Sequence, residues 1–213
     1  MDMMTRRRAM AAGIALPEWD YEWKTADGVY PSEDGWTKTV SGTGKEQKGT
    51  YYQMVASQNN DYIQYTWPDT YTKGAIQISF RSAAGYASAL RLYLSNGTSA
   101  IGVRVNFTST GSNQRFYLMD GTGYSDMTPL ATFKRANTYN LELRLDNGFG
   151  DVLLRDYSGG GDFQTIASGI DCSEIVSQAS MGTAATAMRM SAFTDKSQEW
   201  TIYYIRMRFG RTT

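Results

Sequence analysis

The chain has no histidine. That zero removes Ser-His-Asp and Cys-His catalysis, and with them the usual ligand of catalytic zinc. A single cysteine, Cys172, excludes an intramolecular disulfide and so a stapled secreted miniprotein. With no imidazole to activate it, the thiol is expected as a small half-buried side chain in a strand or turn. Neither sign of charge is in excess: Lys+Arg and Asp+Glu both number 21, so no net field draws the chain to nucleic acid or an anionic membrane. No apolar run approaches the ~20 residues of a membrane span. Proline is scarce, 4 residues against 21 glycines, which suits many tight turns better than a disordered tail.

What is present is aromatic and alternating. With 15 Tyr, 8 Phe and 5 Trp the composition favours strands. A length of 213 residues with 41% apolar content suffices for the core of one all-β unit. The organising stretch is Ala75 to Phe107, where three alternations follow one another. Ile76, Ile78 and Phe80 oppose Gln77, Ser79 and Arg81; Leu90, Leu92 and Leu94 oppose Arg91 and Tyr93; Ile101, Val103, Val105 and Phe107 oppose Arg104 and Asn106. Because side chains alternate across a strand, this period of two predicts an antiparallel sheet with one buried and one polar face.

Residues 1–16, MDMMTRRRAMAAGIAL, differ from all that follows. The run superficially resembles a twin-arginine export signal, but its apolar part is short and no small-x-small cleavage site follows it within reach, since Pro17-Glu18-Trp19 comes next. The favoured expectation is a short helix or extended arm that packs on a partner through Arg6, Arg7, Arg8, Met10, Ile14 and Leu16. Residues 17–213 then form a single domain. Trp19, Tyr21 and Trp23 alternate with Asp20 and Glu22 as an aromatic-faced strand, and Trp36 to Val40 reads as another. Thr50 to Ala56 and Asp61 to Trp67 are expected to form a hairpin. Thr138 to Asp146 and Val152 to Tyr157 form a second, through a slightly extended loop at Asn147 to Gly150. Ser158 to Gly161 reads as a flexible turn, Gln164 to Ala167 as a short strand, and Asp171 to Ser177 as one helical turn capped by Asp171 or Ser173. Gln114 to Met119 reads as a further strand, and Met188 to Phe193 and Trp200 to Phe209 close the sheet. The sum is about twelve strands in two facing antiparallel sheets, a jelly-roll β-sandwich whose last strand returns to a central position.

The YNLELRLDNGFGDVLLRDY hairpin and the closing EWTIYYIRMRFGRTT resemble the concanavalin A-like lectin/glucanase superfamily, and within it the laminin-G-like modules. The opening MTRRRAMAAG resembles the start of structural proteins encoded by bacteriophages and prophages of gut bacteria. These resemblances imply a virion protein made in the bacterial cytoplasm: a head-fibre, decoration or tail-associated component. Its arm would dock to other virion proteins, its sandwich would meet a surface glycan, and it would form a homo-oligomer without nucleic-acid or membrane partners. The alternatives are a free bacterial carbohydrate-binding lectin module and, after it, a glycoside hydrolase.

Retaining glucanases of that superfamily carry an E-x-D-x-x-E strand, with two carboxyls about 5–5.5 Å apart. No such strand occurs here. Glu18, Asp20 and Glu22 are the nearest approach, read as an exposed acidic face, and Glu142 is expected on a solvated face beside Arg144 and Asp146. No cofactor is implied, although Asp120, Asp146 and Asp151 could offer oxygen ligands to calcium, as laminin-G-like modules sometimes do. For a glycan, sugar C–H faces need rings and hydroxyls need planar donors and acceptors. Arg91, Tyr93, Arg104, Asn106 and Arg144 sit at polar positions of central strands and form the candidate face if those strands are neighbours. Ordinary cross-strand pairing or contact with another subunit is the competing reading. Tyr86, Tyr124 and Trp67 are rival contacts in loops.

Overall fold

The computed structural model describes residues 18–39, 45–48, 52–55, 62–69, 71–82, 88–95, 100–107, 115–120, 127–132, 134, 137–173, 187–193 and 200–212. The arm 1–16 and its six docking candidates lie outside them. Fifteen strands run through the described residues. They are β1 (Tyr21–Lys24), β2 (Thr37–Thr39), β3 (Lys45–Lys48), β4 (Tyr52–Val55), β5 (Tyr62–Thr66), β6 (Lys73–Ser82), β7 (Ser88–Ser95) and β8 (Ala100–Phe107). There follow β9 (Arg115–Asp120), β10 (Met127–Thr132), β11 (Thr138–Asp146), β12 (Phe149–Asp156), β13 (Gln164–Asp171), β14 (Ala187–Phe193) and β15 (Trp200–Phe209).

All pairings are antiparallel, in two sheets. The front sheet has the order β13-β12-β11-β6-β15-β4-β3, with β1 pairing β15, and the back sheet β10-β9-β8-β7-β14-β5-β2. The fold is therefore the expected all-β sandwich, and the last strand does return between β6 and β4.

Neighbourhood departs from what the alternation predicts in two places. The three alternations of 75–107 do not share one sheet: β6 lies in the front, while β7 and β8 pair in the back. Nor do β4 and β5 form a hairpin, because β4 pairs β15 and β5 pairs β14, on opposite sheets. A period of two says which side chains face inward, not which strand lies alongside. The hairpin of β11 and β12 is tighter than expected. Asn147 (φ 48) and Gly148 (φ 92) both take positive φ, the geometry of a two-residue type I′ turn, and pairing resumes at once with Asp146 opposite Phe149. The Ser158–Gly161 turn is pinned rather than flexible: Gly159 N donates to Asp156 Oδ1 at 2.9 Å and Arg155 Nε to the Gly161 carbonyl at 2.7 Å.

The core lies between the sheets. Ile76, Ile78, Phe80, Leu141, Leu143, Leu145, Ile205, Met207 and Phe209 from the front meet Ile63, Leu92, Leu94, Val103, Val105 and Phe116 from the back, all buried. Trp67, expected in a loop as a ligand contact, is a core side chain whose ring packs 5.3 Å from that of Phe209. Cys172 is fully buried rather than half-buried. Asp171 ends β13 and its carboxylate accepts from Ser173 N at 2.9 Å, while the rest of the expected helical turn lies outside the described residues.

Candidate functional site

The outer face of the front sheet is built by the alternate residues of the same strands that fill the core. The registers align Arg155, Asn140, Ser79 and Tyr204 in one row across β12, β11, β6 and β15. The next row reads Leu153, Glu142, Gln77, Arg206 and Glu22, and the one after it Asp151, Arg144, Ala75 and Arg208.

The middle of this face is not solvated. Glu142 is only 2% exposed, and Gln77, Ser79, Asn140 and Arg208 are buried with it. A buried carboxylate must be paired and hydrogen-bonded. Glu142 meets this condition, accepting from Arg144 Nε at 2.6 Å and Gln77 Nε2 at 2.9 Å, with Arg208 Nη1 at 3.4 Å. The long arginine stems and Trp19 cover the layer: the Arg208 guanidinium lies 3.7 Å from the Trp19 ring centroid. Burial lowers the pKa of Arg208, with Glu142 opposing that shift. The expectation of a solvated face around Glu142 is overturned, because three donors and an aromatic lid replace water.

The acids near the start of the domain are also engaged. The Asp20 carboxylate is buried, accepting from Phe209 N at 2.8 Å and facing Arg211 at 3.4 Å, so it is not part of an exposed acidic face. Glu22 holds Lys24 at 2.6 Å and Arg206. Burial raises its pKa, but Lys24 and Arg206 together outweigh this and hold the carboxyl below the usual range. Trp19 departs from the Tyr21/Trp23 face because β1 begins only at Tyr21; Trp23 enters the core while Trp19 joins the arginines outside.

Beside the buried layer lies an open pocket of about 470 Å³. Asn140, Ser79 and Thr138 form its polar lining; Arg155, Tyr157, Tyr203, Tyr204 and Arg206 surround them. A β-bulge shapes it: Ile202 faces Phe80 and Tyr204 faces Ser79, so Tyr203 is the extra residue and two consecutive tyrosines reach one pocket. Sequence alternation alone places Tyr203 inward with Ile205. The Arg206 guanidinium lies 4.1 Å from the Tyr204 ring centroid and that of Arg155 5.4 Å from Tyr157. Burial raises the Tyr204 pKa, partly countered by Arg206, so the phenol stays a neutral donor at physiological pH. Asn140 is 6% exposed, and among the described residues its Oδ1 has no hydrogen-bond donor. An acceptor so placed costs about 1–3 kcal/mol unless a donor reaches it.

A second cavity, about 310 Å³, opens between the edges of the two sheets beside Lys134, Asp156 and Asp162. Asp156 there already accepts from Asn137 Nδ2 and Gly159 N, both at 2.9 Å. Among the described residues no group of three or more His, Cys, Asp or Glu could hold a metal ion. Asp146 pairs with Lys73 at 2.7 Å and Asp151 accepts from Gly169 N at 3.1 Å; the side chain of Asp120 lies outside the described residues.

The five candidates for a glycan face do not form one surface. Arg91 pairs Arg104, and Ala89 pairs Asn106, in the β7–β8 ladder of the back sheet, with Tyr93 opposite Gly102. Arg144 is in β11 of the front sheet, bound to Glu142. The sandwich separates them. The side chains of Arg91, Tyr93, Arg104 and Asn106, like Tyr86 and Tyr124, lie outside the described residues. The pocket residues missed in sequence carry a signal nonetheless: Tyr204 and Arg206 in the closing strand, and Arg155 and Tyr157 at the end of the β11–β12 hairpin, are aromatic–arginine pairs two residues apart.

No protein-family model matches the chain, and no curated protein does. The peanut lectin, solved with a 9mer peptide, superposes with a TM-score of 0.56 at 9% identity, covering 88% of this chain and 95% of its own. The CBM2 module of the evolved Dit of Lactobacillus casei BL23 phage J-1 gives a TM-score of 0.64 at 11% identity, covering 92% and 97%. Domain 4 of AbnA, an extracellular arabinanase of Geobacillus stearothermophilus solved with arabinotriose, gives 0.53 at 14%, covering 92% and 94%. The chain has the concanavalin-like β-sandwich fold. At these identities the likeness establishes the fold alone.

Proposed function

We propose that this chain is a non-enzymatic, glycan-binding component of a bacteriophage particle, with a laminin-G-like sandwich and an arm, residues 1–16, that docks to other virion proteins. The observation that carries the binding part is the front-sheet pocket. Tyrosine rings offer faces to sugar C–H groups, two guanidiniums offer planar donors, and the buried Asn140 oxygen awaits a donor. The virion part draws on the basic-apolar leader and on the likeness to a phage module.

The two parts are tested separately. On a glycan array, binding should vanish in Tyr204→Ala and in Asn140→Ala and persist in Tyr93→Ala/Arg104→Ala; persistence in the first two sinks the pocket assignment. Deleting residues 1–16 should abolish incorporation into particles while the sandwich stays folded. Unchanged incorporation counts against the arm. A free bacterial lectin module is the second reading, favoured by the likeness to peanut lectin over 88% of the chain. A full-length chain that stays monomeric, with or without residues 1–16, would point to it, whereas a defined multimer held by the arm favours the assembly protein.

A further inference from the structure

We infer that the front-sheet pocket selects a carboxylate-bearing saccharide over a neutral one, an inference that rests on the glycan-binding reading above. Arg155 and Arg206 line the pocket, none of the described residues lining it is acidic, and Glu22 compensates only Arg206. A pocket for neutral sugar alone needs acceptors for hydroxyl donors, yet cations occupy two of its positions. Arg206 is ion-paired to Glu22 through Nε, and Arg155 spends its Nε on the Gly161 carbonyl at 2.7 Å. That leaves the terminal Nη groups of both without a hydrogen-bond partner among the described residues, and this is the edge that grips a carboxylate in a two-pronged fork. Arg155 has no carboxylate within ion-pair distance among the described residues, so its charge is uncompensated at the pocket. Both guanidiniums lie against tyrosine rings, 4.1 Å from Tyr204 and 5.4 Å from Tyr157, which limits the orientation a ligand must otherwise fix. The buried Asn140 oxygen supplies what an anion cannot use: an acceptor for a hydroxyl or acetamido N–H of the same sugar. Fork and acceptor in one pocket therefore match a ring that bears both a carboxylate and neutral donors. Three strand spacings, about 14 Å, separate the backbones of Arg155 and Tyr204, enough for such a ring to lie between them.

The test is calorimetric titration of the full chain with paired carbohydrates: oligogalacturonate against its methyl ester, and sialyllactose against lactose. The acidic member of at least one pair should bind roughly tenfold more tightly, the worth of one charge-assisted bond, and the preference should shrink as salt rises. Arg155→Gln should erase the preference, costing the acidic member roughly tenfold more affinity than the neutral one; Arg155→Lys, which keeps the charge but not the fork, should restore only part of it. Arg206→Gln should act alike, and Arg155 carries the decision if loss of the Glu22 pair lowers the stability of that variant. Equal affinity for acidic and neutral members would overturn the inference and leave glycan binding standing. Poly-glutamate binding as tightly as oligogalacturonate would overturn the saccharide assignment. No binding to any of the four carbohydrates would overturn both.

Discussion

Replacing Glu142 by glutamine keeps the shape of the side chain and removes its charge. In the native face that carboxylate sits 2.6 Å from Arg144 Nε, 3.4 Å from Arg208 Nη1 and 2.9 Å from Gln77 Nε2. Arg208 is the critical partner, because its side chain is only 10% exposed and cannot rehydrate, whereas Arg144 at 29% can turn partly to water. Losing one partner of a buried charge pair costs about 3–5 kcal/mol, and Arg208 would keep the Glu18 and Thr212 carbonyls, at 2.9 and 3.1 Å, and a Glu18 carboxylate oxygen 4.0 Å away. The relief available to Arg144 puts the expectation for E142Q at the lower end, about 3 kcal/mol. With a urea slope of about 2–3 kcal/mol/M, the unfolding midpoint followed by tryptophan fluorescence should fall by roughly 1–1.5 M. The pair E142L/R208M removes both charges and should recover most of that loss, since well-packed apolar replacement of a buried pair is often neutral. A fall in E142Q of less than about 0.5 kcal/mol, or a double variant no better than the single, would refute the claim that this face is a buried, charge-paired layer.

Other consequences are as direct. Gly74→Ala should destabilise by about 1–3 kcal/mol in the same assay, because the added Cβ would stand 2.4 Å from Trp67 Cη2 and 2.9 Å from the Arg208 carbonyl oxygen. Burial raises the phenol pKa of Tyr21, Tyr65, Tyr139 and Tyr204 above 10.0. Each therefore contributes stability that is complete below the unfolded value near 10 and lost as pH rises toward the folded one. Absorbance at 295 nm should show a class of tyrosines that ionises only together with unfolding; a single smooth titration near pH 10 would contradict it. Glu22 has the opposite sign: its pKa lies below 4.5, so its contribution is present above that pH and disappears as pH falls through the folded value. Glu22→Gln should flatten the acid limb of stability below pH 4.5 with a cost of at most about 1 kcal/mol at neutral pH.

The fold was largely legible because alternation is a direct imprint of a sheet with one apolar side. Leu141, Leu143 and Leu145 against Glu142 and Arg144, closed by Asn147-Gly148, encode strand, face and turn in nine consecutive residues and a dipeptide. Two strands escaped: β3, KEQK, has no apolar side to read, and β10, MTPLAT, carries a proline that an edge strand tolerates beside its bulge at Pro129/Ala131. Sheet membership was not legible, since nothing in β4 or β5 states that the chain crosses between layers after Val55. The candidate site suffered from both limits. Alternation groups Arg144 with the polar positions of β7 and β8 because such positions on different sheets look alike in a sequence. Alternation places Tyr203 inward because a bulge leaves no mark in IYYIRM. Glu142 looked solvated because polarity usually means water, although its E-x-R spacing to Arg144 already placed a counter-charge on the same face.

The claim on which the functional account turns is that glycan meets the front sheet between β12 and β15. Backbone amide shifts of the labelled full chain, followed during titration with whichever saccharide binds, locate the contact directly. The account predicts shifts concentrated at 139–141, 155–157 and 203–206. Shifts confined to β7 and β8, on the opposite sheet, would contradict it.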